Sequence, residues 1–290
     1  GFMPSRILGA LKVSAVLILD LSLFLSLFHS PAVAAAGVIG IGIYTFLGGY
    51  FALVQEGGVR LDKLPRADRL RLETALRRLT DDRAAHGDRA RLRLYLIPGD
   101  SDLQSTAYGA GCISVSAGTL DAADTLSLSA VLGHEAGHIQ NLDSEFKRAV
   151  FCTVMLAVAG LSVLSAAAVL ALFLIFLILS CFRSWLGLFA FHGARKGIKS
   201  LFSLLQKAIV LLYQAALGLV SRRAEFRADR YVCRLGYGLQ LAHFLSLSAP
   251  GTSRPLTLRE ALYRSHPDTH RRIARIEAYL ASAPEAITRR

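Results

Sequence analysis

Long uncharged apolar blocks dominate the pattern of hydrophobic and polar positions. The first runs from about Val13 to Phe28, behind Arg6 and Lys12, and His29-Ser30-Pro31 punctuates it. The second runs from Ala32 to Val54, the third from Val150 to Phe182 and the fourth from about Ile198 to Val220. A hydrocarbon core about 30 Å thick needs about 20 apolar residues in a helix, so the blocks predict about four transmembrane helices. The third block exceeds one span. It predicts either a single long tilted helix or a helix that starts in the soluble part and continues into the bilayer. Arg6, Lys12, a short apolar run and Ala32-Val33-Ala34 also fit a signal peptide with its cleavage site. The second block follows directly, which favours a membrane hairpin. Asp20 is expected to face another helix, and Lys207 to line the bundle or snorkel.

Between the second and third blocks the pattern becomes that of a soluble domain. Leu64-Pro65 opens a helix, in which Ala67, Leu70, Leu76 and Leu79 form an imperfect apolar face and which Gly87 ends. From Arg91 to Ile97 the chain alternates, with Leu92, Leu94 and Leu96 on one face, as a half-buried strand does. Pro98-Gly99-Asp100 is a turn, Cys112 to Ser116 a second strand, and Leu126 to Asn141 a helix. The segment from Ser221 onward is again soluble and helical in pattern. The expected organisation is therefore an N-terminal transmembrane hairpin (1–56), a first soluble part (57–149), a second transmembrane hairpin (150–220) and a second soluble part (221–290).

Composition agrees: 53% of the 290 residues are hydrophobic, more than a soluble domain of this length carries. The net charge of +12 is concentrated after Ser221, while Glu56 to Arg148 is near balance. Basic residues beside spans mark the cytoplasmic side and meet anionic headgroups. No interleaved aromatics or nucleic-acid motif accompanies them, so no nucleic-acid partner is expected; the lipid bilayer is. Arg60, Lys63, Arg66 and Arg69, with Arg222, Arg223 and Arg227, place both soluble parts in the cytoplasm. Arg183, Arg195, Lys196 and Lys199 then fall in the outer loop, against this trend. Cys112, Cys152, Cys181 and Cys233 form no C-x-x-C pair and read as reduced thiols rather than a disulfide framework or zinc ribbon.

The chemistry lies in His134-Glu135-Ala136-Gly137-His138. Histidines four apart on a helix share a face and can bind one ion. Glu135, not itself a ligand, can reach a metal-activated water and take its proton. Gly137 leaves room beside the metal. A catalytic zinc takes one further protein ligand, commonly Glu, His or Asp. Glu225, four residues before Asp229 on one helix face, is the candidate. One carboxylate could bind zinc while the other holds a histidine by its free ring N–H. Equally, both could be surface groups paired with Arg222, Arg223 or Arg230. His29, His86, His192 and His243 have no partner at ligand spacing and read as structural or surface residues.

His134-Glu135-Ala136-Gly137-His138-Ile139, a membrane hairpin, and then Ala224-Glu225-Phe226-Arg227-Ala228-Asp229 resemble the HtpX family of membrane zinc metalloproteases, relatives of the type I CAAX prenyl endopeptidase. Thr106-Ala107-Tyr108-Gly109 with Ile113 to Leu120 is similar to that family's Asn-Ala-Phe-Ala strand and the strand after it. Ser265-His266-Pro267-Asp268-Thr269 with Arg272-Ile273 is similar to its C-terminal motif. The resemblance implies an α-helical integral membrane protein with an α+β gluzincin-type metalloprotease domain and one Zn2+ per chain. It implies His134, His138 and Glu225 as ligands, Glu135 as general base and then acid, and Asp229 as the carboxylate behind a ligand. His266 would polarise the scissile carbonyl or cap a helix. Thr106, Ala107 and Tyr108 would hold substrate, with Thr106 where the family has Asn.

The expected function is thus endoproteolysis of unfolded or membrane-protein substrates at the cytoplasmic face of the inner membrane, in quality control or stress response. An intramembrane protease fits less well, because Asp124, Thr125, Gln140, Asn141, Asp143 and Glu145 make the motif's surroundings too polar for mid-bilayer. A non-enzymatic membrane scaffold would have no use for Glu135. No feature selects prenylated peptides as substrates.

Overall fold

The elements are drawn from a computed structural model, which describes residues 3–180, 186–247 and 268–282. Helices α1 (Met3–Phe28) and α2 (Pro31–Gln55) form the N-terminal hairpin. Ser30 caps α2, and Pro31 opens it where a missing N–H costs nothing. A short strand β1 (Val59–Arg60) and a 3-10 turn lead into α3 (Arg66–Ala85). Strands β2 (Arg93–Ile97), β3 (Ser105–Gly109) and β4 (Cys112–Ser116) follow, then α4 (Ala117–Ala122) and α5 (Thr125–Asn141). Asp124 caps α5 by accepting from the Ser127 N–H at 2.7 Å. Helices α6 (Asp143–Ser180), α7 (Leu186–Arg234), α8 (Gly238–Leu247) and α9 (Thr269–Ser282) complete the described chain.

The sheet order is β1-β2-β4-β3, with β2 parallel to β4 and the other pairs antiparallel, so β3 is an edge strand. Leu94, Leu96, Ile113 and Val115 point into the main core, where α3, α5, α7, α8 and α9 contribute Leu79, Leu132, Val232, Leu241 and Ile276. The alternation from Arg91 to Ile97 predicts a half-buried strand, but β2 is covered on both faces. Tyr95 packs with Leu53 of α2, Tyr108 and Cys112 in a second cluster. Aromatic bulk on the opposite face was hidden by the flanking arginines.

Among the described residues, four helices are long and apolar enough to cross a membrane: Ser5–Phe28, Pro31–Gln55, Asp143–Ile178 and Phe191–Arg234. The third apolar block takes the second form expected of it, a helix that starts in the polar sequence at Asp143 and continues without a break. Asp20 is fully buried, whereas Lys207 is exposed, as a snorkelling lysine is. Ile18, Leu19, Ile39, Phe51 and others leave large apolar side chains on the surface of α1 and α2, as a lipid-facing helix requires.

The chain divides into two compact units, Gly1–Ala149 with Gly218–Arg290, and Val150–Leu217. The N-terminal hairpin therefore belongs with the soluble parts rather than standing apart. Glycines make that possible. A Cβ on Gly49 of α2 would lie 1.8 Å from the Tyr108 carbonyl, and one on Gly9 of α1 would lie 2.4 Å from that of Asn141. Both ends of the hairpin thus pack on β3 and on the end of α5.

Candidate metal centre

Helix α5 is buried from Ser127 to Gln140, which is unusual for a helix carrying polar groups and demands that each be partnered. His134 and His138 project from one face, and their Nε2 atoms approach to 3.2 Å. Helix α7 crosses this face. Glu225 Oε2 lies 3.2 Å from His134 Nε2 and Oε1 lies 3.5 Å from His138 Nε2. Donors of a tetrahedral zinc site with bonds of about 2.0–2.1 Å stand about 3.4 Å apart, so this donor set fits one zinc ion. Among the described residues His134, His138 and Glu225 are the group so placed.

Gly137 has a different reason from the one expected. A Cβ there would stand 3.0 Å from Ala228 Cα and 3.2 Å from its Cβ. The bare position admits the α7 backbone between Glu225 and Asp229, rather than clearing space beside the metal. Close helix packing offsets the roughly 1 kcal/mol that glycine costs in a helix.

Each histidine of the cluster is held from behind. Asp229 Oδ1 lies 3.0 Å from His134 Nδ1, and Asp143 Oδ2 lies 3.0 Å from His138 Nδ1. These bonds leave both Nε2 atoms free to turn toward the ion. Each carboxylate has its own arginine. Arg272 donates from Nε and Nη2 to Asp229 at 3.0 and 2.6 Å, and its Nη1 lies 3.2 Å from Glu225 Oε2. Arg227 donates to Asp143 at 2.9 Å. Asp143 reaches His138 because Leu142 takes a left-handed conformation, φ 53°, that folds α6 back against the end of α5. That conformation costs about 1–2 kcal/mol in a non-glycine residue.

The cluster is electrostatically poised for a cation. Burial works against a proton on His138, but hydrogen bonds to Asp143 and Glu225 and the Glu225 charge outweigh it, pushing the imidazole up to about 10. Burial and the Arg272 charge likewise oppose a proton on His134, and Asp229 and Glu225 overcome both, raising it. Burial lowers the Arg272 guanidinium, but Asp229 and Glu225 turn the balance upward. A divalent ion would take the place of the protons that the carboxylates otherwise recruit.

A cavity of about 590 Å³ opens on the cluster. Gln104, then Ser105 to Ala107 of β3, Glu135, Lys147 and the apolar Val131, Leu241, Phe244 and Leu245 line it. Glu135 Oε1 accepts from the Ser105 hydroxyl at 2.7 Å. Thr106 and Ala107 face this cavity, but Tyr108 does not: it is buried on the other face of the sheet, with its hydroxyl donating to Glu56. His266 lies outside the described residues. Among the described residues, His29, His86, His192 and His243 belong to no group that could hold a metal ion. Cys112 and Cys233 are buried thiols outside any disulfide, and Cys181 lies outside the described residues.

Sequence reasoning did not find Asp143, Arg227 or Ser105, and it marked Arg272 only as part of a motif. Asp143 lies beyond the helix break, where spacing along a helix carries no signal.

The sequence profile of peptidase family M48 matches residues 67–280. No curated protein matches the chain. Among solved structures, the crystal structure of Ste24p from S. mikatae is similar at 18% identity and a TM-score of 0.49, covering 95% of this chain and 66% of that one. The chain therefore spans less than two thirds of the length of that protein.

Proposed function

Because this chain belongs to peptidase family M48, a metalloprotease family, and carries four helices fit to cross a membrane, we propose that it is a zinc endopeptidase of the H-E-x-x-H…E-x-x-x-D type. The observation that carries this reading is the convergence of His134 Nε2, His138 Nε2 and the Glu225 carboxylate at 3.2–3.5 Å, with Glu135 in the same cavity. Bound there, zinc would polarise the scissile carbonyl and lower the pKa of a water to about 7. Glu135 accepts a proton on its carboxylate and later returns it to the leaving amine. Asp143 and Asp229 hold the imidazoles in the tautomer that presents Nε2. Arg272 fixes Glu225 and Asp229 together, so that neither carboxylate swings away.

The free edge of β3 supports binding of an extended peptide. The Gln104 carbonyl accepts from the Ser116 N–H at 3.0 Å, so residues 104 and 106 face β4 while Ser105 and Ala107 turn their main chain outward. A peptide strand can add there and reach the metal centre. The Ala107 carbonyl already accepts from the Ser144 hydroxyl at 2.5 Å, which ends the available edge.

Unfolded or membrane-protein segments suit such a site, because a folded chain has no free strand to offer. Quality control or stress response is the corresponding role. The basic residues after the second and fourth spans support a site at the cytoplasmic face of the inner membrane. Cleavage of casein in detergent by the zinc-loaded chain, abolished by a chelator and restored by zinc, tests the activity; an inert zinc-loaded chain would refute it. Cysteine labelling tests orientation: positions near Arg83 and Arg275 should react from the same, cytoplasmic, side.

A further inference from the structure

Ser105 joins the peptide-binding edge to the base. Its main chain lies on the open side of β3, and its hydroxyl donates to Glu135 Oε1 at 2.7 Å. Serine is not chosen here for the strand, since β-branched and aromatic residues fit a strand better. The sheet does not need the hydroxyl either: Ser105 Oγ reaches across 30 positions of sequence to Glu135. Glu135 is 6% exposed, so bulk water does little to hold its carboxylate and a protein donor must.

We infer that Ser105 is a positioning residue for proteolysis: its hydroxyl holds the Glu135 carboxylate in the orientation that receives the proton, while its main chain pairs with the substrate strand. The inference rests on the zinc-endopeptidase reading above. A peptide that pairs with Ser105 thereby firms the support of the base. The hydroxyl donates to one carboxylate oxygen and leaves the other free for proton transfer. Removing it leaves the metal ligands and the paired edge intact but lets Glu135 wander, and a misplacement of about 1 Å can cost as much as about 100-fold in rate.

Steady-state cleavage of an internally quenched peptide in detergent, by the zinc-loaded wild type and the Ser105→Ala, Ser105→Thr and Glu135→Gln variants, tests this. Bound zinc and the thermal midpoint are measured on each preparation. Ser105→Ala should keep its zinc and midpoint, lose at least about tenfold in kcat and leave KM within about twofold, because binding common to ground and transition states is retained. Ser105→Thr, which keeps the hydroxyl, should restore most of the lost kcat. A Ser105→Ala variant with wild-type or raised kcat, or one whose loss lies in KM or zinc content, would overturn the inference, as would equal impairment of the alanine and threonine variants. Wild-type turnover by Glu135→Gln would instead refute the proposed mechanism in which Glu135 is the base, whatever Ser105→Ala does. An inactive Glu135→Gln beside an unimpaired Ser105→Ala would refute only the role of Ser105.

Discussion

Asp143 Oδ2 lies 3.0 Å from His138 Nδ1, although a helix break separates the two residues. The first residue of a helix that continues into an apolar span therefore sets the tautomer of a proposed metal ligand. Loss of such an outer partner typically costs about 10–100-fold in metal affinity or activity. Asp143→Ala should bind zinc that much more weakly while still binding one ion, as read by titration with a chromogenic chelator. Unchanged affinity would show that His138 needs no such support.

Glu225 and Asp229 should separate in the same titration. Glu225 converges on both Nε2 atoms, whereas Asp229 meets His134 at Nδ1 and is clasped by Arg272. Glu225→Ala should lose zinc or leave it exchangeable to a micromolar chelator. Asp229→Ala should keep the ion, bind it more weakly and turn over slowly. Reversed phenotypes would make Asp229 the ligand.

Zinc affinity should rise with pH. The metal-free His138 imidazole is raised to about 10, against about 6.5 in an unfolded chain. Its proton therefore stabilises the metal-free fold fully below pH about 6.5, and that contribution is lost as pH rises through about 10. Zinc must displace this proton, so each unit of pH within the window should strengthen binding about tenfold. Isotherms at about pH 7 and about pH 8 read the slope; equal affinities would mean that His138 is already neutral.

The end of α7 that carries Glu225 is also anchored away from the histidine cluster. Arg83, 1% exposed, donates to Asp88 at 2.7 and 3.0 Å, and Asp88 also accepts from the Tyr231 hydroxyl at 2.6 Å. Asp88→Ala would leave a buried guanidinium without its counter-charge, a loss of about 3–5 kcal/mol. The thermal midpoint in detergent should fall sharply, with zinc per folded chain unchanged. A midpoint within about a degree of wild type would show that water reaches Arg83.

What the sequence made legible follows the periodicities. Helix α5, the four long helices and the pairing of His134 with His138 repeat at helical spacing or at the length of a membrane span, so pattern alone exposes them. Glu225 could be nominated because it shares a helix face with Asp229, although a surface ion pair reads the same way. Asp143, Arg227 and Ser105 come from separate elements and meet only in three dimensions. Gly137 was visible as an anomaly, but its cause, the Ala228 backbone of α7, belongs to the packing. Tyr108 was named beside Thr106 and Ala107 through the family resemblance, whereas its side chain turns to the other face of the sheet and packs with Leu53 and Tyr95, a cover by α2 that leaves no mark in the sequence.

On the proposed mechanism, Glu135 carries a proton beside the metal rather than binding it. Glu135→Gln removes the proton acceptor and no metal bond. Zinc content and turnover of casein, measured on the same purified preparation, decide it. The variant should hold one zinc per chain and lose about 100-fold or more in turnover. Loss of the zinc, or cleavage at the wild-type rate, would contradict the account.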